Sequence, residues 1–314
     1  MDYTLDLNVQ DIVETSDGVG AEVILNSTYH IPGNNDTLEN NAIKYDLLLE
    51  KHNGKYMIKS VETDDDDYAI FKERISENSK KTRSRVTALD SIFDETNQIA
   101  ETIKNMPVKE LITQDTTDSI ATYATSVSYS SSLGTLYANK YYINNAPFFY
   151  KTGSDCTNFV SQCVWAAYGG WRYQQSTDTI SSDIRNKRRM TGTWYGGSGG
   201  GSSAWESVEG LWSYVTSNTS NGPRATGYNN GKNYTGVSAG SIGVGNVLQM
   251  RGGTSGNYTH SVYVYNCTAP ITYSSITVMQ HTSNKKRAVQ DIINVYGPSL
   301  CMRRLAFKTT TFAN

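Results

Sequence analysis

The first 63 residues of the chain alternate between apolar and polar side chains, a pattern that indicates antiparallel β-strands. The alternating segments, which are rich in β-branched residues, are 3–12, 20–31 and 43–63. Asn53-Gly54 interrupts the last of them and supplies the two positive φ angles of a hairpin turn. We therefore predict a small antiparallel meander and assign an auxiliary domain to residues 1–67.

A helical pattern follows the meander. Four consecutive carboxylates, at 64–67, precede an apolar run and predict a solvated helix N-terminus, where acidic side chains suit the helix dipole. Apolar residues then recur at helical spacing over 84–106. The segment 109–128 is rich in Thr, Ser and Asp, and we interpret it as a linker with a short helix. Residues 68–128 are thus predicted to form a helical linker.

The second half of the chain opens with a predicted helix over 129–142 and then reaches a cysteine-centred motif. In this motif apolar side chains recur at the spacing of one helical face, at Cys156, Phe159, Val160, Cys163, Val164 and Ala167. Asp155 is a candidate N-cap, and Gly169-Gly170 offers the left-handed exit that helices commonly use. The pattern predicts a helix whose first turn carries Cys156.

A long segment rich in Gly, Ser, Asn and aromatic residues follows, over 172–237. One predicted helix, 204–216, interrupts it. Long loops inside a compact domain are often functional, so Trp194 and Trp205 are candidates to line a substrate groove. The alternative is that these aromatic side chains pack the loop onto the domain.

Three further strands are predicted at 243–250, 259–266 and 275–281. His260 begins the second of them and is in phase with the buried-face valines that follow it. In the third strand Gln280 and His281 point to opposite faces, because successive side chains alternate. Together with the preceding helices, these strands predict an α+β domain over 129–314.

Composition and charge exclude several classes of protein. The charges of the 28 basic and 30 acidic residues nearly cancel, so the sequence lacks the excess of positive charge that binding to nucleic acid requires. No run of about 18 apolar residues occurs, so no membrane span is expected. The four cysteines form neither a disulfide framework nor a metal-ligand pattern, although Cys267 and Cys301 could pair, and we expect no metal or organic cofactor.

The abundance of Gly, Tyr, Ser and Asn is typical of exported, polysaccharide-facing proteins. We therefore expect a protein that is secreted or associated with the cell wall, with a signal peptide that is not part of this chain. We also expect a monomer.

Cys156 is the candidate nucleophile. A thiol at a helix N-terminus is favoured as thiolate by the helix dipole and lies beside backbone amides that can hold an oxyanion. Such a nucleophile needs an imidazole to move its proton and a third polar group to orient that imidazole. His260 and His281 are the two histidines that follow Cys156, and they fall in adjacent predicted strands. The alternative for Cys156, as for Cys163, is a buried structural cysteine.

Several stretches together resemble an amidase domain family found in Firmicutes. They are Gly153 to Cys163 (GSDCTNFVSQC), Trp194, Ser203-Ala204-Trp205, Gly245 to Gln249, His260-Ser261-Val262 and Gln280-His281-Thr282. This family is similar to the NlpC/P60 and CHAP group of papain-like cysteine amidases and peptidases, and the resemblance covers 129–305. It implies a papain-like α+β fold, with the nucleophile helix packed on an antiparallel sheet, and cleavage of amide bonds in cell-wall peptides or similar substrates.

The resemblance also implies roles for individual residues. Cys156 is the nucleophile, His260 is the general base, and the third member comes from the next strand, at His281. Strand alternation alone favours Gln280, because its parity matches the inward valine of that strand, and Asn284 is a further alternative. Asp155 matches a position that in related enzymes meets a free amine of the substrate. The N-terminal strands resemble part of a cystatin-like or nuclear-transport-factor-like domain.

The sequence thus predicts a cysteine amidase or peptidase that hydrolyses peptidoglycan, or another peptide or amide substrate, through a thioester acyl-enzyme. Two alternatives stay open. The same Cys–His chemistry could transfer the acyl group to an amine or lipid, which a wide apolar cleft would favour. A non-catalytic wall-binding or adhesive module could use the Tyr and Trp side chains, and in that case Cys156→Ala would leave the activity unchanged.

Overall fold

The computed structural model describes residues 3–16, 18–82, 85–104, 126–253 and 256–313. The helices are α1 Asp66–Thr82, α2 Arg85–Lys104, α3 Ser131–Tyr141, α4 Cys156–Ala167, α5 Thr177–Arg185, α6 Ser203–Glu206, α7 Val208–Ser217 and α8 Val289–Tyr296. The strands are β1 Tyr3–Thr15, β2 Gly18–Tyr29, β3 Leu38–His52, β4 Lys55–Thr63, β5 Ser126–Val127, β6 Ala225–Tyr228, β7 Val247–Arg251, β8 His260–Cys267, β9 Ile276–Gln280, β10 Lys285–Ala288, β11 Cys301–Phe307 and β12 Thr310–Thr311.

Ten strands form one sheet in the order β1-β2-β3-β10-β9-β8-β7-β11-β6, with β4 paired to β3, and every pairing is antiparallel. The predicted α+β class is therefore confirmed. The N-terminal meander joins the C-terminal strands where β3 pairs with β10, at Lys285↔Asn40 and Lys286↔Glu39. Its predicted hairpin is present, with φ of 49° at Asn53 and 80° at Gly54.

Two hydrophobic cores lie on opposite faces of the sheet. Tyr263 and Met279, which are paired across β8 and β9, pack with α3 and α4. Their neighbours Val264 and Val278, also paired, point the other way and pack with α8. Side chains alternate along a strand, so one strand serves both cores. The sheet is covered by helices on both faces in this half of the chain.

The helix α4 occupies the centre of the first core. It begins at Cys156 and ends at Ala167, as the apolar spacing predicts, and all of its residues are buried. Its polar side chains are hydrogen-bonded, since Ser161 Oγ donates to the Trp205 carbonyl and Gln162 Oε1 accepts from Tyr137 Oη. The chain leaves the helix through Gly169, whose φ is +79°.

The predicted helix over 204–216 is two helices, α6 and α7, because Ser207 ends the first and caps the second by accepting from Gly210 N–H. The predicted linker 68–128 contains α1 and α2, and its remaining part, 105–125, lies outside the described residues. Among the helices that the structure describes, none is long and apolar enough to cross a membrane.

Candidate active site

Cys156 is the first residue of α4, and its side chain is 4% exposed. Burial by itself raises the pKa of this thiol. The hydrogen bond and charge of the His260 imidazole act in the opposite direction, together with the Ser261 backbone N–H and the Thr157 hydroxyl. Their combined effect exceeds that of burial, so the pKa of Cys156 is lower than that of an ordinary thiol.

His260 is the first residue of β8, as the strand pattern predicts, and it is buried beside the thiol. Burial by itself lowers the pKa of its imidazole. The hydrogen bond and charge of Cys156 and the charge of Asp66 raise this pKa by more than burial lowers it, so it lies above its ordinary value. Nδ1 lies 3.7 Å from Asp66 Oδ2. The opposite shifts of the two pKa values favour a thiolate–imidazolium pair.

Cys163 lies on the same helix two turns later and has a different character. It is fully buried in the apolar core, and burial raises the pKa of its thiol well above the ordinary value. Of the two cysteines of α4, the one at the helix start thus has the more acidic thiol. Cys267 and Cys301 are free thiols that donate to the backbone carbonyls of Ile242 and Gly253 and do not pair with each other.

The expectation that His281 orients His260 is not what the structure shows. Both ring nitrogens of His281 have other partners, since Nδ1 lies 2.6 Å from Asp155 Oδ2 and Nε2 lies 2.7 Å from the Tyr141 carbonyl oxygen. Its ring stacks on Phe159 of α4, with a centroid separation of 4.0 Å. His281 directly follows the last residue of β9, and it lies on the α4 side of the sheet with Phe159 and Asp155, whereas Gln280 points to the other side.

Gln280 lies on the sheet face of His260. Because Tyr263 pairs with Met279, alternation along β8 and β9 places Gln280 on the same sheet face as Val262 and His260. Among the described residues, neither Gln280 Oε1 nor His260 Nε2 has a hydrogen-bond partner, and both atoms are buried. The Gln280 amide nitrogen donates to the Ser283 carbonyl at 3.4 Å, which leaves the amide oxygen as the free acceptor. Asn284, the third alternative, donates instead to the Ile143 carbonyl.

Asp155 does not meet the solvent, which corrects two expectations for this residue. Its side chain makes no hydrogen bond to the first-turn amides of α4, and it is 1% exposed. One carboxylate oxygen accepts from Thr152 N–H at 3.0 Å and from Asn158 Nδ2 at 2.8 Å, and the other binds His281. Although burial raises the pKa of this carboxyl, the bonds from His281 and Asn158 lower it more. A fully paired, buried carboxylate is not available to a substrate amine.

The prediction that Trp194 and Trp205 line a substrate groove is also wrong. Both side chains are completely buried in the core around α4 and contact each other, with ring centroids 4.5 Å apart. Trp205 Nε1 donates to Asn158 Oδ1 at 2.7 Å, so this ring secures the helix that carries Cys156. The aromatic loop packs onto the domain, which was the alternative interpretation.

Cys156 and His260 open onto a cleft of about 590 Å³. Its lining combines apolar side chains, among them Ala69, Ile70 and Tyr296, with charged and polar ones: Asp64, Asp66, Glu73, Arg74, Glu77, Ser154, Arg251, Asn257, Thr259, Thr282 and Ser299. Sequence reasoning missed the carboxylates as part of this site, although the run at 64–67 was visible as a pattern. In the described part of the chain, no group of three or more His, Cys, Asp or Glu side chains could hold a metal ion.

Comparison with known proteins identifies the domain that carries this cleft. The sequence matches a family described as "Putative amidase domain" over residues 128–300, more than half of the 314-residue chain. No curated protein and no solved structure matches the chain. The matched region contains Cys156, His260 and Gln280, and the family description indicates hydrolysis of amide bonds. The chain therefore belongs to this amidase domain family.

Proposed function

We propose that the protein is a cysteine-dependent amidase in which Cys156 is the nucleophile and His260 is the general base and acid. The observation that carries the proposal is the interaction of a buried thiol at a helix start with an imidazole at a strand start, with opposite pKa shifts, at the floor of an open cleft. An arrangement of this kind is expected for an activated nucleophile and not for a structural cysteine.

The reaction would proceed through a thioester. The Cys156 thiolate attacks the amide carbonyl carbon, and the carbonyl oxygen becomes an oxyanion. First-turn amides of α4 can stabilise it, because the Asp155 side chain does not use them. His260 gives its proton to the departing amine as the C–N bond breaks. A water molecule, deprotonated by His260, then attacks the thioester, and as the C–S bond breaks the acid leaves and the Cys156 thiolate is regenerated beside protonated His260.

Gln280 is proposed as the third member of the site. Its amide oxygen and His260 Nε2 are two buried, unpartnered polar atoms on one sheet face, within the described residues. In the proposed arrangement Nε2–H donates to Oε1 and this bond fixes the ring orientation. His281 then has a separate role, in which it holds the Asp155 carboxylate beside the nucleophile.

The proposed substrate is an amide bond in a cell-wall peptide, met outside the cell. The family description, the resemblance to papain-like wall amidases and the Gly-, Tyr- and Asn-rich composition support this choice. The charged side chains in the cleft lining, among them Asp66, Glu73 and Arg74, attract water, and this supports hydrolysis over acyl transfer, which needs a site that excludes water.

The test is digestion of purified peptidoglycan by the wild-type chain, by Cys156→Ala and by the matched control Cys163→Ala. Mass spectrometry should find new amine and carboxyl ends with the wild type and the control, and none with Cys156→Ala. Identical product profiles for all three proteins would refute hydrolysis of this substrate. Alkylation of Cys156 but not Cys163 by iodoacetamide near neutral pH tests the activated thiol separately.

A further inference from the structure

One wall of the active-site cleft comes from outside the matched amidase region. The cleft-lining residues of α1 recur three or four positions apart, at Asp66, Ala69, Ile70, Glu73, Arg74 and Glu77. Residues with this spacing form one face of a helix. The helix α1 therefore runs along the cleft and presents a continuous face to it, although the family match begins only at residue 128.

The start of α1 is fastened to β10 by buried ion pairs. Asp65 Oδ1 lies 2.5 Å from Lys285 Nζ, and Asp67 Oδ2 lies 2.6 Å from both Lys285 Nζ and Arg287 Nη1. The two basic side chains are 2% exposed. A buried cation without its partner would be strongly unfavourable, so these contacts hold the helix start in one position.

The fastening brings Asp66 to the catalytic pair. Asp66 Oδ1 accepts from Ser283 Oγ at 2.8 Å, and Oδ2 lies 3.7 Å from His260 Nδ1. Nε2 of this ring has no hydrogen-bond partner among the described residues, and the imidazole interacts with the Cys156 thiol. The carboxylate is too far for a hydrogen bond but close enough for strong electrostatic attraction to a protonated ring.

We propose that Asp66 is a positioning residue for the His260 imidazolium and that the N-terminal region is a working part of the active site. The inference rests on the proposed function for the role of His260. The charged groups that face the ring are the Cys156 thiolate on α4, Asp66 on α1 and Arg287 on β10, with Arg251 lining the same cleft. Asp66 offsets the repulsion from Arg287 and favours the protonated ring that the leaving amine requires.

The experiment compares Asp66→Asn with Glu62→Gln in the full chain. Both substitutions remove one carboxylate from the N-terminal region, but Glu62 is an exposed strand residue and does not line the cleft. Asparagine can still accept from Ser283 and suits a helix start, so Asp66→Asn should fold. The pKa of His260 is measured by NMR titration of its ring, with the signal assigned by His260→Gln.

In Asp66→Asn we expect the pKa of His260 to fall and the alkaline limb of the amidase pH profile to move to lower pH. The loss of activity at pH 8 should be about fivefold. Glu62→Gln should change neither the pKa of His260 nor the pH profile. In Asp66→Glu, which keeps a carboxylate, both should lie between the values of Asp66→Asn and the wild type. An unchanged His260 titration in Asp66→Asn, an equal shift in Glu62→Gln or a gain of activity would overturn the inference. The NMR result does not depend on amidase activity, so it separates failure of this inference from failure of the proposed function.

Discussion

Substitution of His281 tests whether this ring supports Asp155 or serves His260. The change His281→Leu replaces the imidazole by an apolar side chain of similar size and so removes both ring nitrogens. The partners of these nitrogens, a carboxylate and a backbone carbonyl, can only accept hydrogen bonds, so both ring nitrogens are placed to donate. The variant therefore leaves a buried carboxylate and a buried carbonyl oxygen without these donors.

The magnitude follows from the burial of the pair. Both side chains are 2% exposed, so solvent does not screen the interaction. Removal of one partner from a buried ion pair costs about 3–5 kcal/mol. Asp155 keeps its bonds from Thr152 and Asn158, which compensate part of the loss. We therefore expect the free energy of unfolding of His281→Leu to fall by about 3 kcal/mol, at the lower end of that range.

Urea unfolding followed by circular dichroism at pH 7 measures this loss. The control is Asn284→Ala, which removes one hydrogen bond to the Ile143 carbonyl at a partly exposed position and should cost about 1 kcal/mol. In an Asp155→Asn background, His281→Leu should cost less, because the carboxylate is no longer left unpaired. If His281→Leu is no less stable than Asn284→Ala, the structural role assigned to this histidine is incorrect.

The pH dependence of the same pair has a defined sign. Burial raises the pKa of Asp155, but the bonds from His281 and Asn158 lower it more, so the folded carboxyl holds its proton less tightly than the unfolded one. Its contribution is therefore complete above the unfolded pKa, about 3.9, and is lost as the pH falls through the lower folded value. The difference in stability between the wild type and His281→Leu should shrink in that acidic window.

Three further predictions concern the catalytic pair and the fastening of α1. Gln280→Leu should lower kcat/KM by about tenfold or more with little change in stability, and unchanged kinetics would remove Gln280 from the site. Below pH 8 the alkylation rate of Cys156 should fall less steeply than the loss of about tenfold for each pH unit that an ordinary thiol shows, and a tenfold loss would contradict the lowered pKa. Lys285→Met should cost about 3–5 kcal/mol in urea unfolding, because Asp67 and Asp65 lose a buried partner, and wild-type stability would contradict the assigned ion pairs.

Local signals in the sequence predicted the element that carries the nucleophile. The bounds of α4 follow from its apolar spacing and from Gly169, and the hairpin turn follows from Asn53-Gly54, because each depends on residues that are neighbours in the chain. The start of β8 at His260 likewise follows from the alternation of a few neighbouring residues. The sequence could thus pair Cys156 with His260 as candidates before any contact was known.

The third residue of the candidate site could not be predicted from neighbouring residues in the chain alone. Strand alternation distinguishes the faces of Gln280 and His281, but it does not say which face meets His260 until the β8–β9 register is known. The preference for His281 came from the resemblance, and its actual partners, Asp155 and Tyr141, lie 126 and 140 residues away in the chain. Likewise, aromatic composition did not distinguish a binding groove from a buried loop at Trp194 and Trp205.

The sequence by itself determined the helix with its first-turn thiol, the histidine at a strand start and the antiparallel hairpin, because 3.6- and 2-residue periodicities and turn residues act over a few positions. Only the tertiary structure decided what the acidic run at 64–67 does. Two of its carboxylates, those of Asp65 and Asp67, are paired with Lys285 and Arg287, some 220 positions later, and are not solvated. Such a charge is favourable in the interior only beside its partner, and the pairing of β3 with β10 brings the two segments together.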